Sequence, residues 1–297
     1  MGAKLRVVRR RIRSVQSTMR ITRAMELIAA SRIVRAQQRA QQTRPYASSI
    51  TTVLSNVASQ ADELDHPMLE QREEKHAAAV FVVTSDRGLC GAYNSSVLRT
   101  AEELFSKLRA EGMTPKLYVT GRKGISYFRF RDRPMEQTWF GFSENPTYDD
   151  AKRVAGAVIR AYEDREVDEI HGVYTDYVSA LTQRAEARRF VPLVVEEVAE
   201  APPGPIPQYI FEPNAAALLA QLVPRYVESR IFVAMLEAAA SEQAARRRAM
   251  SAATENAEEL IGVLTRQANR ARQQEITQEI MEIVGGAEAL RQAAARS

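Results

Sequence analysis

The chain has 297 residues, 45% of them hydrophobic and 26% charged, with a formal net charge of +4. That balance is typical of a soluble globular protein, and no apolar run approaches the roughly 20 residues that span a bilayer. Cys90 is the single cysteine, which excludes an internal disulfide and a thiolate cluster, and the histidines His66, His76 and His171 are too scattered for a zinc site.

The N-terminal stretch MGAKLRVVRRRIRSVQSTMR is Arg-rich, poor in acid and amphipathic, like a transit peptide. The pattern continues past Arg39 without a cleavage-like boundary, so it is read as mature protein. Arg6 stands where a myristoylation signal needs Ser or Thr. No glycine appears between Gly2 and Gly88, and no proline before Pro45. Leu5, Val8, Ile12, Val15 and Met19 alternate at spacings of three and four, the period of an apolar seam facing another helix. Met25, Ile28 and Ala36 are expected to continue it with some drift, and Ile50, Val53, Leu54 and Val57 to resume it after Pro45. A first segment over 1–58 is therefore predicted as one long helix, roughly 80 Å at 1.5 Å per residue.

A different composition follows. AAAVFVV, PKLYVTG, EQTWFGF, EIHGVYTDYVSA and ARRFVPLVVEEV read as strands, while SSVLRTAEELFSKLRAEG and YDDAKRVAGAVIRAYEDR read as helices. The alternation predicts an α/β domain over 77–198, a Rossmann-like sheet with helices on its faces and a core of its own. EAPPGPIPQ is a stiff linker. FEPNAAALLAQL opens a C-terminal helical segment over 210–296, with Pro213 in its first turn and a kink or break expected at Pro224. Its seam is assigned to Leu236, Ala240, Met250, Ala253, Ala257, Leu260, Ile261, Leu264, Ala268, Ile276, Ile280 and Ile283. Neither terminal helix can bury its seam alone, so the two are predicted to form an antiparallel coiled coil.

Charge is uneven. Residues 1–44 hold 12 Lys and Arg against one acid, Glu26. A nucleic-acid arm, a membrane-surface helix, a helix meeting an acidic protein partner and a solvated face all fit that excess. The turn SDRGLCG sits where a nucleotide fold would place phosphates. However, Gly88 and Gly91 supply only GxxG, and neither a dinucleotide fingerprint nor a P-loop is present. GRKG at Gly121 to Gly124 has the same weakness. No nucleophile, base and orienter can be assembled, and Cys90 reads as a buried small side chain rather than a reactive thiol.

TRAMELIAASRI, TSDRGLCGAYN, YVESRIF, SEQAARRRAMSAATENA and NRARQQEITQEIMEIVGGAEAL closely resemble motifs of the gamma subunits of F-type ATP synthases, in the same order and over nearly the whole chain. The resemblance implies a non-catalytic central shaft, one copy per complex, turning inside a hexamer of alternating alpha and beta subunits. It implies further contacts with the epsilon subunit and the membrane ring of c subunits, no nucleic acid and no cofactor. ATP chemistry would belong to the beta subunits. An acidic beta-subunit loop would account for the basic N-terminal helix, with Met25 in the stretch facing it. Arg272, Gln273 and Thr277 match positions that hydrogen-bond a beta-subunit loop. Unlike chloroplast members, the chain has no cysteine in VVEEVAEAPPGPIPQYIFEP, so their thiol regulation is not expected. The implied location is the cytoplasmic face of a bacterial plasma membrane. A nucleotide-dependent enzyme built on the central domain is the rival reading.

Overall fold

The computed structural model describes residues 3–60, 68–69, 72, 74–193 and 215–294. The expected linker, Pro213, the strand residues 194–198 and the tail after Ala294 lie outside them. Among the described residues five helices and five strands follow in the order α1 Ala3–Gln60, β1 Ala77–Val83, α2 Tyr93–Ala110, β2 Thr114–Thr120, α3 Arg122–Phe130, β3 Gln137–Trp139, α4 Tyr148–Glu163, β4 Glu169–Tyr177, β5 Gln183–Val191 and α5 Ala215–Ala294. The chain divides into two compact units, one of Met1–Ile28 with Arg248–Ser297, the other Ala29–Arg247.

The larger unit is built on a sheet of order β3-β2-β1-β4-β5. β1 pairs in parallel with β2 and β4, β2 in parallel with β3, and β5 returns antiparallel along β4. Central β1 is apolar at every position because both of its faces are covered. Ala78, Val80 and Val82 pack with Val97, Phe105 and Leu108 of α2 and Phe128 of α3. Ala79, Phe81 and Val83 join a second core with Val154, Val158 and Tyr162 of α4. That second core also takes Ile50 and Leu54 from α1 and Leu219, Val223, Val227 and Ile231 from α5. One face of the sheet therefore shares its core with the long helices, where the sequence predicts a self-contained domain. Each buried Phe, Leu or Val contributes about 1.5–3 kcal/mol to that face.

Local chemistry explains the element ends. Thr147 and Asp150 form a reciprocal capping box at the start of α4. Asp168 accepts hydrogen bonds from the amides of His76 and Ala77 at 2.7 and 3.1 Å and pairs with Arg72 at 2.8 Å, which sets the entry to β1 beside β4. Pro45 and Pro224 both lie inside helices. Pro224 does not end α5: Leu219, Val223 and Val227 are buried around it, and their packing offsets the missing backbone bond. β5 begins earlier than ARRFVPLVV suggests, because its polar first half, Gln183–Glu186, pairs with the end of β4.

The smaller unit holds the ends of α1 and α5. Thr22 and Thr254 share a buried hydroxyl–hydroxyl hydrogen bond of 2.7 Å, and Arg23 stands 3.7 Å from Glu258. Two antiparallel helices carried outward from that pair bring Met19 level with Ala257, Ile12 level with Leu264 and Leu5 level with Ala271. Burial follows this register: Leu5, Thr22, Thr254, Ala257, Leu264 and Ala268 are buried, and Val8, Ile12, Val15, Met19 and Ile261 are half-buried. Leu260, Ile276, Ile280 and Ile283 are exposed, as is Ile28. Leu260 loses its place to Ile261, and Ile28 to the Thr22-based stripe. Ile276, Ile280 and Ile283 lie past the level of Ala3, the described start of α1.

Two outcomes follow for the larger unit. Gly121 has φ +91°, and a Cβ there would lie 2.1 Å from the Thr84 carbonyl oxygen, whereas Gly112 at φ +83° has open space. Gly121→Ala should lower stability by about 3 kcal/mol or more and Gly112→Ala by only about 1 kcal/mol, read from urea midpoints. Glu169 is 4% exposed and accepts from His171 at 2.7 Å and Lys75 at 2.8 Å. Burial alone would raise its carboxyl, but these partners hold it down to about 2. A depressed folded value stabilises above the unfolded range near 4.5 and is lost as pH falls through about 2. Glu169→Gln should therefore destabilise by up to about 3 kcal/mol at neutral pH. The difference should shrink steadily between pH 4.5 and pH 2 in denaturation curves.

Candidate functional site

The connections leaving β1 and β3 run to opposite sides of β1, toward β2 and β4 respectively. The carboxyl ends of β1 and β4 therefore flank a topological switch point, the place where doubly wound sheets bind ligands. Here that crevice is filled by the protein's own side chains and turns.

The turn after β1 uses its polar groups internally. Thr84 Oγ1 donates to the Thr120 carbonyl at 2.7 Å and accepts from the Gly124 amide at 2.9 Å. The Ser85 amide donates to Asn94 Oδ1 at 3.0 Å, and the Asp86 amide to Ser143 Oγ at 2.9 Å. The Asp86 carboxylate accepts from the amides of Arg122, Gly141 and Ser143. The Ser85 and Asp86 amides that a phosphate would need are thus engaged. Gly121 and Gly124 allow β2 and α3 to approach Thr84, so GRKG is a packing turn. Leu89 and Gly91 take left-handed conformations, which turns the chain into α2. Cys90 is 2% exposed and burial pushes its thiol up, away from the reactive thiolate.

α5 closes over this turn. Ser241 Oγ donates to the Thr175 carbonyl in β4 at 3.2 Å. Ala245 packs with Cys90 and Tyr93. Arg246 Nη2 lies 3.4 Å from the carbonyl oxygens of both Arg87 and Gly88. The turn therefore presents carbonyls to a cation, the reverse of a phosphate cradle.

Arg246 is also the centre of a charge chain. Its Nη2 donates to Glu242 Oε1 at 2.6 Å, and its Nη1 stands 3.4 Å from Glu144 Oε1. Glu144 pairs in turn with Arg32 of α1. Glu242 is fully buried and Arg246 is 5% exposed, whereas Glu144 and Arg32 reach the surface. Burial pushes the Glu242 carboxyl up, and the Arg246 guanidinium pulls against that. With Glu242 ionised, the signs along this chain of two cations and two anions cancel. Gln37 Nε2 donates to Tyr177 Oη at 2.8 Å and Tyr148 Oη to Glu228 Oε2 at 2.7 Å, so α1 and α5 are tied to the sheet layers at further points.

Of the residues singled out in the sequence, Met25 is half-buried, and Arg272, Gln273 and Thr277 are exposed on α5. Thr277 Oγ1 donates back to the Gln273 carbonyl at 2.9 Å. The structure does not bring Met25 into a site with these three. Glu144, Glu242 and Arg246 were missed by sequence reasoning, although Glu242 and Arg246, one helical turn apart, were open to detection as an acid–base pair inside an alanine-rich run. Among the described residues no His, Cys, Asp and Glu cluster could hold a metal ion. No described helix is long and apolar enough to cross a membrane.

Comparison with known proteins agrees with this geometry. The family model described as ATP synthase matches residues 4–290. ATP synthase gamma chains are 61% identical in Acidothermus cellulolyticus, over 98% of both chains, and 53% identical in Mycolicibacterium smegmatis, over 98% of this chain and 99% of that one. The gamma chain of Thermobifida fusca is 52% identical over the full length of both. Among solved structures, a rotational-state structure of the Euglena gracilis mitochondrial ATP synthase, comprising OSCP, F1 and c-ring, contains a chain of the same fold. Its TM-score is 0.65 at 17% identity, covering 98% of this chain and 95% of that one. The central stalk and c-ring structure from Tetrahymena thermophila gives 0.59 at 23% identity, covering 78% and 99%. With its switch-point crevice closed by its own C-terminal helix and its whole length matched, the chain belongs to the ATP synthase gamma chain family.

Proposed function

We propose that this chain is the central shaft of a proton-translocating F-type ATP synthase. It turns within the hexamer of alpha and beta subunits and couples rotation of the membrane ring of c subunits to ATP chemistry on the beta subunits. The observation that carries this reading is the far end of α5. Beyond the level of Leu5, Ile276, Ile280, Met281, Ile283 and Val284 are all exposed on one continuous helix. An apolar surface of that kind marks a contact with other chains. Spread around the helix, these apolar side chains make contacts without fixed direction, which suits a bearing with no deep minimum at any angle. The basic face of α1 fits an acidic loop of a beta subunit, with Met25 nearby and Arg272, Gln273 and Thr277 exposed and able to hydrogen-bond a beta-subunit loop. The larger unit would meet the epsilon subunit and the c ring, at the cytoplasmic face of a bacterial plasma membrane, as a peripheral and non-catalytic subunit. The rival nucleotide enzyme is disfavoured by the filled switch point.

Purification from native membranes through an affinity tag on this chain should recover alpha, beta and epsilon subunits together with it. Titration of the purified chain with ATP or NAD should give no binding heat, and micromolar binding would reinstate the enzyme reading. Met25→Lys adds a cation beside the proposed acidic loop. An extra ion pair of a few tenths to about 1 kcal/mol should favour some angles over others. ATP hydrolysis should persist in membrane vesicles while ATP-driven proton pumping falls, and equal loss of both would remove Met25 from that contact.

A further inference from the structure

From Ala238 to Arg246 every residue of α5 is buried, on all sides of the helix. Tyr226 to Ser229 are also buried in succession and no residue from Tyr226 to Arg246 is exposed, but this is the longest unbroken buried run of α5, enclosed as if in a socket. Five of the nine residues are alanine: Ala238, Ala239, Ala240, Ala244 and Ala245. Alanine allows walls to approach closely but offers no knob to interlock with them. Such a run resists withdrawal of the helix, because apolar area would be exposed, but its alanines oppose turning only weakly. Its angle is left to its polar residues and to contacts nearer the start of α5, such as Tyr148 with Glu228 and Phe232.

Directional contacts lie at Ser241, Glu242 and Arg246, with the Glu144 and Arg32 pair beyond them. We infer that the Glu242–Arg246–Glu144 chain is the angular lock of the socket, and that Glu242 and Arg246 are positioning residues for rotary coupling. This inference rests on the rotary reading above. A turn of α5 by one residue, about 100°, would carry the guanidinium away from both carboxylates and from the Arg87 and Gly88 carbonyls. It would leave buried charges unpaired, which is the steeply unfavourable outcome for an enclosed ion pair. The same chain ends on Arg32 of α1, so both long helices are held at one angle to the sheet.

The test uses the intact complex in inverted membrane vesicles, with ATP hydrolysis and proton pumping measured together against a rising opposing gradient. Replacing Glu242 with Leu and Arg246 with Met in one chain removes the lock but keeps the volume and the neutrality, an exchange that buried ion pairs commonly tolerate. Glu144→Gln is a milder break at the partly exposed end. In each assembled variant hydrolysis should continue, while protons pumped per ATP hydrolysed under load should fall, about two- to fivefold for Glu144→Gln, the range a partly exposed pair supports. Glu144→Asp should restore part of the loss, which a packing defect alone would not predict. An unchanged ratio in Glu144→Gln under load overturns the lock even if the double variant fails to assemble. Vesicles carrying the parent chain that hydrolyse ATP without pumping would instead remove the rotary reading, and the inference with it.

Discussion

An arginine enclosed in a protein interior must be neutralised where it lies, and the larger unit is organised around that requirement at Arg246. Glu242 meets it from one turn away on the same helix, Glu144 from the loop before α4, and the carbonyls of Arg87 and Gly88 from the turn after β1. A guanidinium has five donors in a fixed plane, so its neighbours have to occupy fixed directions. Three separate segments of chain are thereby given one arrangement. Apolar burial supplies most of the stabilisation through the two faces of the sheet, but it does not choose among angles in the way the charge chain does.

The same constraint explains how the turn after β1, in a fold suited to nucleotides, is used internally. The turn after β1 keeps the shape of a strand-to-helix loop, yet Asn94 and Ser143 take its amides and its carbonyls face a cation. The glycines of GRKG allow Thr84 to touch the neighbouring turn rather than an anion. A glycine-bearing turn at a switch point can therefore serve as an internal joint.

Much of this was legible in the sequence. The three-and-four spacing from Leu5 to Met19 coincides with the buried and half-buried positions of α1. The stripe then passes through Thr22, and a polar residue breaks a pattern read from hydrophobicity alone, so Ile28 was assigned to the seam instead. Leu260 and Ile261 are adjacent and equally apolar, and only the partner's register separates them. Pro224 shows tertiary packing overriding a local rule. The alternation of β1, β2 and β4 with α2 and α4 was readable because buried parallel strands are continuously apolar. β5 was misplaced at its start because an edge strand of mixed charge has no such run. The partnership of Arg246 with Glu144 joins residues about a hundred positions apart, and no local pattern encodes it.

The polar character of β5 has a consequence for the life of the free chain. β5 is the last strand of the sheet among the described residues, and such a border invites another sheet to add itself. Arg184, Glu186, Arg188 and Arg189 lie along it, with Arg184, Arg188 and Arg189 exposed. Two molecules meeting border to border would bring like charges together and strip their water. A subunit that displays bare apolar helix before assembly thus keeps its other vulnerable surface, the border of its sheet, guarded against self-association.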